Sequence, residues 1–487
     1  MRVLISIFLL LLSSVSIGQN SFYKLYSGIG YDKGEGIIQL EDSSYVITGS
    51  SSSWAENNQA FLLAVDKSGN FLWSNSYGGA ETDNGKRIMH IPGDGFLIAG
   101  ISNSYSQGDF DAFLFKTDES GNQQWHKNYN KPNSWERIND AVLTSDSGVV
   151  MVGELLPEIN GNSDVYIIRT DKNGDTVWTK RLGTIGDDIA NSIVRKNNNF
   201  IIGGQWYIVD SSMVKGFIME IDINGNEVWK KIVSDLPGDY IINDITLGNN
   251  KLYITGYKHG SITNFSYYGV FDNNGNILNQ YTEALENKNQ RSNQIEFNPF
   301  YNKIVGSFQS INADTYQDNY DLFYAYFESN GLNWMNQFKS INNEGIDEVG
   351  QIIITLDGGF IGVGYSDCTG LCQYTLNGGS HIYLLKVGSD NVFPNTENIT
   401  FLNQFSEYNE ISEFEIVGKT FPNPIKDILN IQFKETANKY NFNLYDVFGK
   451  LIKFGELKQE DTIDFSNLQS GVYFLETGNS IVRLVKE

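Results

Sequence analysis

A short phrase, an acid followed by a glycine three residues on and usually a tryptophan seven on, recurs about every fifty residues. The copies read VDKSGNFLW, TDESGNQQW, TDKNGDTVW and IDINGNEVW, then FDNNGNILN and FESNGLNW. Their leading acids are Asp66, Asp118, Asp171, Asp222, Asp272 and Glu328, at spacings of 52, 53, 51, 50 and 56 residues. A degraded copy follows 60 residues later, with Gly388 in the acid's place. Such a period means that one supersecondary unit is repeated and that its neighbours bury its apolar face.

Each unit holds four short apolar or alternating runs; in the first they are GEGIIQL, SYVITGS, AFLLAVD and NFLWSNSY. Period-two runs of this length separated by turn residues read as strands. Four strands per unit and seven units predict an all-β chain, with a seven-bladed β-propeller over residues 19–391. The 48 glycines against 8 prolines suit many tight turns. The seventh unit supplies DEVGQIIIT, GGFIGVGYS and SHIYLLKV but no convincing fourth strand, whereas SFYKLYSGIG near the N-terminus reads as one. Pairing the two would close the ring and remove two exposed strand edges.

The stretch DKNGDTVW (171–178) has the beginnings of a calcium loop and of an Asp box. A calcium loop needs further oxygen ligands and a terminal Glu where Trp178 and Thr179 stand. The Asp box needs one residue fewer between Asp and Gly. What remains is a hairpin: the acid opens the turn, Gly174 takes the left-handed position and the Trp starts the outer strand. A β-branched residue at position 174 should then cost stability.

On these features, shown as FLIAGISNSYSQGDFDAFLFKTDESGNQQW, the repeat resembles the SBBP-type β-propeller repeat of secreted bacterial proteins, a resemblance covering about 22–391. It implies fold and is nearly silent on function.

The two ends speak of export. MRVLISIFLLLLSSVSIGQN has a positive start, an apolar stretch from Val3 to Leu12 and small residues before Gln19, so residues 1–18 read as a cleaved signal peptide. No later apolar run reaches the ~18 residues of a spanning helix, so no transmembrane segment is expected. After an Asn- and Glu-rich linker, 392–415, come FPNPIKDILNIQF, NLYDVFGKLI and IDFSNLQSGVYFL, alternating runs that predict a small Ig-like β-sandwich over 416–487. The ordered motifs Pro422-Asn423-Pro424, Tyr445-Asp446 with Gly449-Lys450, Gly471 with Tyr473, and a basic end resemble the type A C-terminal sorting domain of the type IX secretion system. The resemblance implies the type IX machinery as a partner, passage across the outer membrane of a Bacteroidota-type bacterium, and attachment to the surface or release.

A formal charge of −23, from 35 basic and 58 acidic residues, excludes nucleic acid and anionic membranes as natural partners and favours cationic ligands. The only cysteines, Cys368 and Cys372, predict a local disulfide in an exported chain and make a poor zinc site. A second acid recurs before the first strand of nearly every unit: Asp32, Asp83, Glu136, Asp188, Asp239 and Asp347, with Gln290 in the sixth. These carboxylates either ring a channel mouth that attracts Ca²⁺ or other cations, or cap their own turns, and repetition in every blade favours capping. On the same end lie uneven loops between second and third strands that carry Trp54, Tyr105, Trp206, Tyr207, Tyr316 and Tyr374. Rigid aromatic area beside amides suits a glycan or protein ligand.

No nucleophile elbow, P-loop or paired-histidine motif is present, so neither catalytic residues nor a cofactor is expected. The resulting expectation is a secreted or surface propeller acting as a non-catalytic binding scaffold. The alternative is a polysaccharide-degrading hydrolase or lyase, and a hydrolase would need two carboxyl groups ~5–9 Å apart.

Overall fold

The computed structural model describes residues 21–28, 30–53, 57–105, 110–157, 161–233, 238–259, 264–283, 288–312, 320–328, 337–339, 347–367, 380–389, 397–401, 417–421, 425–433, 439–446, 451–458, 460–469, 471–477 and 480–486. Every element among them is a β-strand. Six blades are four-stranded antiparallel meanders, at 32–77, 83–129, 134–182, 189–233, 240–283 and 288–339. In the first, the strands are Asp32–Gln39, Tyr45–Ser51, Gln59–Val65 and Phe71–Tyr77. The second and third strands are buried throughout, while the fourth alternates at the rim.

A further sheet is composite. Asp347–Ile354, Phe360–Asp367 and Ser380–Val387 pair in order, and Phe22–Ser27 from the start of the chain is added antiparallel to Ser380–Val387. This is the ring closure anticipated from SFYKLYSGIG. Glu397–Phe401, inside the segment expected to be linker, runs parallel to Phe22–Ser27 as a fifth strand. The expected seven blades therefore resolve into six blades of consecutive strands plus this sheet assembled from both ends of the propeller. Apolar layers fill the space between sheets. Ile47, Phe61 and Leu63 of the first blade meet Ile361, Val363 and Leu384 of the composite sheet. On its other side Phe360 and Leu385 meet Val305 and Tyr324 of the sixth blade. Each such fully buried side chain stabilises the ring by roughly 1.5–3 kcal/mol.

The recurring phrase is the hairpin between third and fourth strands, and it also joins blades. Asp171 Oδ1 accepts the N–H groups of Asn173 (2.8 Å) and Asp175 (2.9 Å), and Gly174 donates its N–H to the Asp171 carbonyl (3.1 Å). Gly174 has φ +78°. Trp125, the phrase's tryptophan in the preceding blade, lies so close that a Cβ on Gly174 would come within 2.7 Å of its ring. Trp73 stands in the same relation to Gly121, and Trp229 to Gly275. The Tyr129 hydroxyl donates to the Gly174 carbonyl (2.8 Å) and that of Tyr77 to Gly121 (2.6 Å). Tyr26, on the added N-terminal strand, does the same to Gly69 (2.7 Å), so that strand does the work of an outer strand.

The C-terminal region has two sheets, of three strands (Val417–Phe421, Ile428–Phe433, Glu460–Asp464) and four (Tyr440–Asp446, Leu451–Leu457, Gly471–Thr477, Ser480–Lys486). Leu429, Ile431, Leu444, Phe465, Leu475 and Leu484 form their shared core. The signal segment, Cys368, Cys372 and Pro422 to Pro424 lie outside the described residues, as do Gly449 and Lys450.

Candidate functional site

The recurring carboxylates turn inward. Asp32, Asp83, Glu136 and Asp188 are fully buried at the start of the innermost strands. Asp32 accepts the N–H of Gly28 (2.8 Å) in the incoming connection and the hydroxyls of Ser51 and Ser53 at the end of its second strand. Asp83 repeats this with Gly79 N–H (3.0 Å) and the Ser104 hydroxyl (2.6 Å). Glu136 accepts Lys131 N–H (3.2 Å) and the Ser134 hydroxyl, and Asp188 the N–H groups of Thr184 and Tyr207. Asp239 is half-buried and accepts Val214 N–H (3.0 Å). For Asp347 the backbone alone is described, as the first residue of its strand. Each described carboxylate thus ties the connection between blades to neighbouring backbone. Burial raises the pKa of Asp32, Asp83 and Asp188 against the pull of these hydrogen bonds, and lifts Glu136 to about 7.

The loop aromatics at that end divide. Tyr105 is exposed and stacks on His126 at 4.5 Å. Trp206 is half-buried, edge-on to Phe217, with Lys230 Nζ 3.7 Å from its ring centroid. The Tyr207 ring covers Gly186. Trp54, Tyr316 and Tyr374 lie outside the described residues.

The arrangement that sequence reasoning missed lies at the axis. Every innermost strand carries one extra residue at a β-bulge: Glu35, Lys86, Asn139, Asn191, Asn243, Asn293 and Gly350. A bulge re-aims one side chain out of the ladder. All seven of these residues border a single polar cavity of about 360 Å³ in the central channel. Tyr257 and Gln309 border it too, near the ends of second strands, on the loop side of the blades. The amides bridge blades: Asn139 donates its side-chain N–H to the Ala190 carbonyl (2.9 Å), Asn191 to Ile242 (2.8 Å) and Asn243 to Ser292 (2.8 Å). The signal was present in the sequence, since Asn139, Asn191, Asn243 and Asn293 keep the blade period.

Charge in the channel is mostly paired. Burial penalises the Glu35 carboxylate, but Lys86 at 2.7 Å, with Arg87 beyond it, holds its pKa below the usual range. Arg87 is buried, binds Asp140 at 2.7 Å and donates to the carbonyls of Glu35 and Lys86. Deeper between blades, Asp140 accepts Ile193 N–H, and Asp244 accepts Ile295 N–H and the Ser192 hydroxyl. Burial, with Asp140 nearby, lifts Asp244 to about 7, and burial beside Asp244 lifts Glu296 to about 8.

No curated protein matches the sequence. Among solved structures, the WD40 β-propeller domain of Doa1 aligns at 10% identity over 75% of this chain and 96% of its own, with a TM-score of 0.46. An ulvan lyase of polysaccharide lyase family PL25 aligns at 9% identity over 77% and 96%, at 0.48. Sqt1 from Chaetomium thermophilum aligns at 12% identity over 76% and 91%, at 0.43. No helix among the described residues is long and apolar enough to cross a membrane. Residues 419–487 match the secretion system C-terminal sorting domain, so the propeller carries a type IX secretion tail that points to secretion and to a cell-surface or extracellular location.

Proposed function

We propose that this chain is a type IX cargo of a Bacteroidota-type bacterium that acts outside the cell as a non-catalytic binding scaffold. Its composite sheet serves as the seventh blade of an SBBP-type ring, packed on both sides like its neighbours. The tail is Ig-like in this reading, supported by its two sheets and by Tyr473, whose hydroxyl donates to the Gln469 carbonyl four residues upstream (2.8 Å). Cys368 and Cys372 are joined as a local disulfide in one of the loops between second and third strands. The ligand is a glycan or a protein engaged by those uneven loops.

The observation that carries the reading is the sorting tail behind a ring whose described recurring carboxylates are engaged in bracing. A carboxylate held by backbone N–H groups and shielded from solvent is poorly placed for acid–base work on a substrate. Expression of the full chain and of a chain ending at residue 416, in a host with type IX secretion, tests the destination. The full chain should reach the surface or medium and the shortened one should stay in the periplasm. Glycan arrays and pull-downs with the mature full chain test the role. Turnover of a polysaccharide, abolished by one carboxylate substitution, would replace binding with catalysis.

A further inference from the structure

The channel cavity departs from sevenfold repetition in a way that selects a ligand. In Asn139, Asn191 and Asn243 one side-chain N–H is committed to the next blade. Each amide keeps its oxygen as an acceptor and its second N–H as a donor beside the cavity that these residues border. Lys86 is held by Glu35, and Arg87 by Asp140. Glu348, which borders the same cavity, makes no ion pair among the described residues. The cavity therefore offers several neutral amide oxygens, with amide N–H groups beside them, and one carboxylate that makes no ion pair among the described residues, within a molecule of formal charge −23.

An anion would meet Glu348 unpaired. A Ca²⁺ ion stripped of its water wants more carboxylate than one side chain supplies. An alkyl ammonium brings three N–H donors and a single positive charge, which matches this set of acceptors. The volume of about 360 Å³ falls at the small end of ligand sites.

We propose that the central channel binds a primary ammonium group, as presented by a free diamine or a lysine side chain, with Glu348 as its counter-charge. The site lies inside the channel and its ligand differs from the glycan or protein proposed for the loops, so either proposal can fail without the other.

Isothermal titration of the mature full chain with cadaverine, in about 150 mM salt to suppress general attraction to an acidic protein, is the direct test. Saturable 1:1 binding is expected, with 1-butanol silent as a neutral control. Glu348→Gln should weaken binding about tenfold or more with an unchanged melting temperature, while Glu81→Gln, an exposed surface control, should bind like wild type. Nα-acetyl-trimethyllysine methyl ester, whose only cation is a quaternary ammonium without N–H donors, should bind more weakly than Nα-acetyl-lysine methyl ester. The proposal is overturned if cadaverine gives no saturable heat up to ~10 mM, if Glu348→Gln binds as tightly as wild type, or if Ca²⁺ binds where the amine does not.

Discussion

Gly174 and Gly93 share a backbone conformation but not surroundings, so alanine at each separates two costs. Gly93 has φ +77° and nothing within 4 Å of where a Cβ would stand. Gly174 has φ +78°, and its Cβ would come within 2.7 Å of Trp125 and 3.0 Å of Lys127. The left-handed conformation costs an L-residue ~1–2 kcal/mol. Restriction of the unfolded chain by a Gly→Ala change returns ~0.4–1 kcal/mol. Gly93→Ala should therefore destabilise by only about 1 kcal/mol. Gly174→Ala must also push the indole of the preceding blade aside, a further ~1–3 kcal/mol of overpacking, for a total near 3 kcal/mol. Val at 174 should cost more again. Urea unfolding of the mature chain, followed by tryptophan fluorescence, reads both midpoints, and Trp125 is itself a reporter of the contact. Equal midpoints for the two alanine variants would refute the inter-blade clamp and leave the phrase as a hairpin alone.

Stability should also fall as pH rises from about 5 to 8.5. Glu136, Asp244 and Glu296 have raised folded pKa values of about 7, about 7 and about 8, so the folded chain holds protons that the unfolded chain releases. Their contribution is complete below the ordinary carboxyl range and is lost as pH climbs through 7 to 8, at up to ~1.4 kcal/mol per pH unit for each proton. A melting temperature that is flat or rising over that range, or a slope unaffected by Glu296→Gln, would count against this account. Asn191→Ala removes a 2.8 Å bond to the Ile242 carbonyl of the next blade and should cost ~1–2 kcal/mol in urea unfolding. Arg87→Met leaves Asp140 buried without its partner and should cost ~3–5 kcal/mol in urea unfolding.

What the sequence made legible was local or periodic. The hairpin of DKNGDTVW follows from Asp and Gly chemistry within five residues, and the four-run unit follows from alternation. The closing strand was legible because SFYKLYSGIG resembles WSNSYGG, and the structure gives Tyr26 the same hydroxyl contact that Tyr77 makes in the next blade. Contacts between units were not legible in the same way. Trp125 was read as opening its own strand, yet its neighbour is a glycine 49 residues on in another blade. The channel was missed because its residues fall on bulges, where one extra residue shifts the alternation used to sort inside from outside.

Repetition separates bracing from recognition in this ring. At four described blade starts Asp32, Asp83, Glu136 and Asp188 satisfy N–H groups of the crossover between blades, in slightly different ways. The bulge position also recurs as geometry but not as chemistry. Asparagine holds four consecutive blades, a Glu–Lys pair takes two, and the last is Gly350, where a Cβ would meet the Gly34 carbonyl at 2.5 Å. Division of this position into neutral amides on one arc and a Glu–Lys ion pair on the other gives an uneven field inside a repeating frame. A small cation entering from the loop side would meet that field, and the loops above would decide what carries it in.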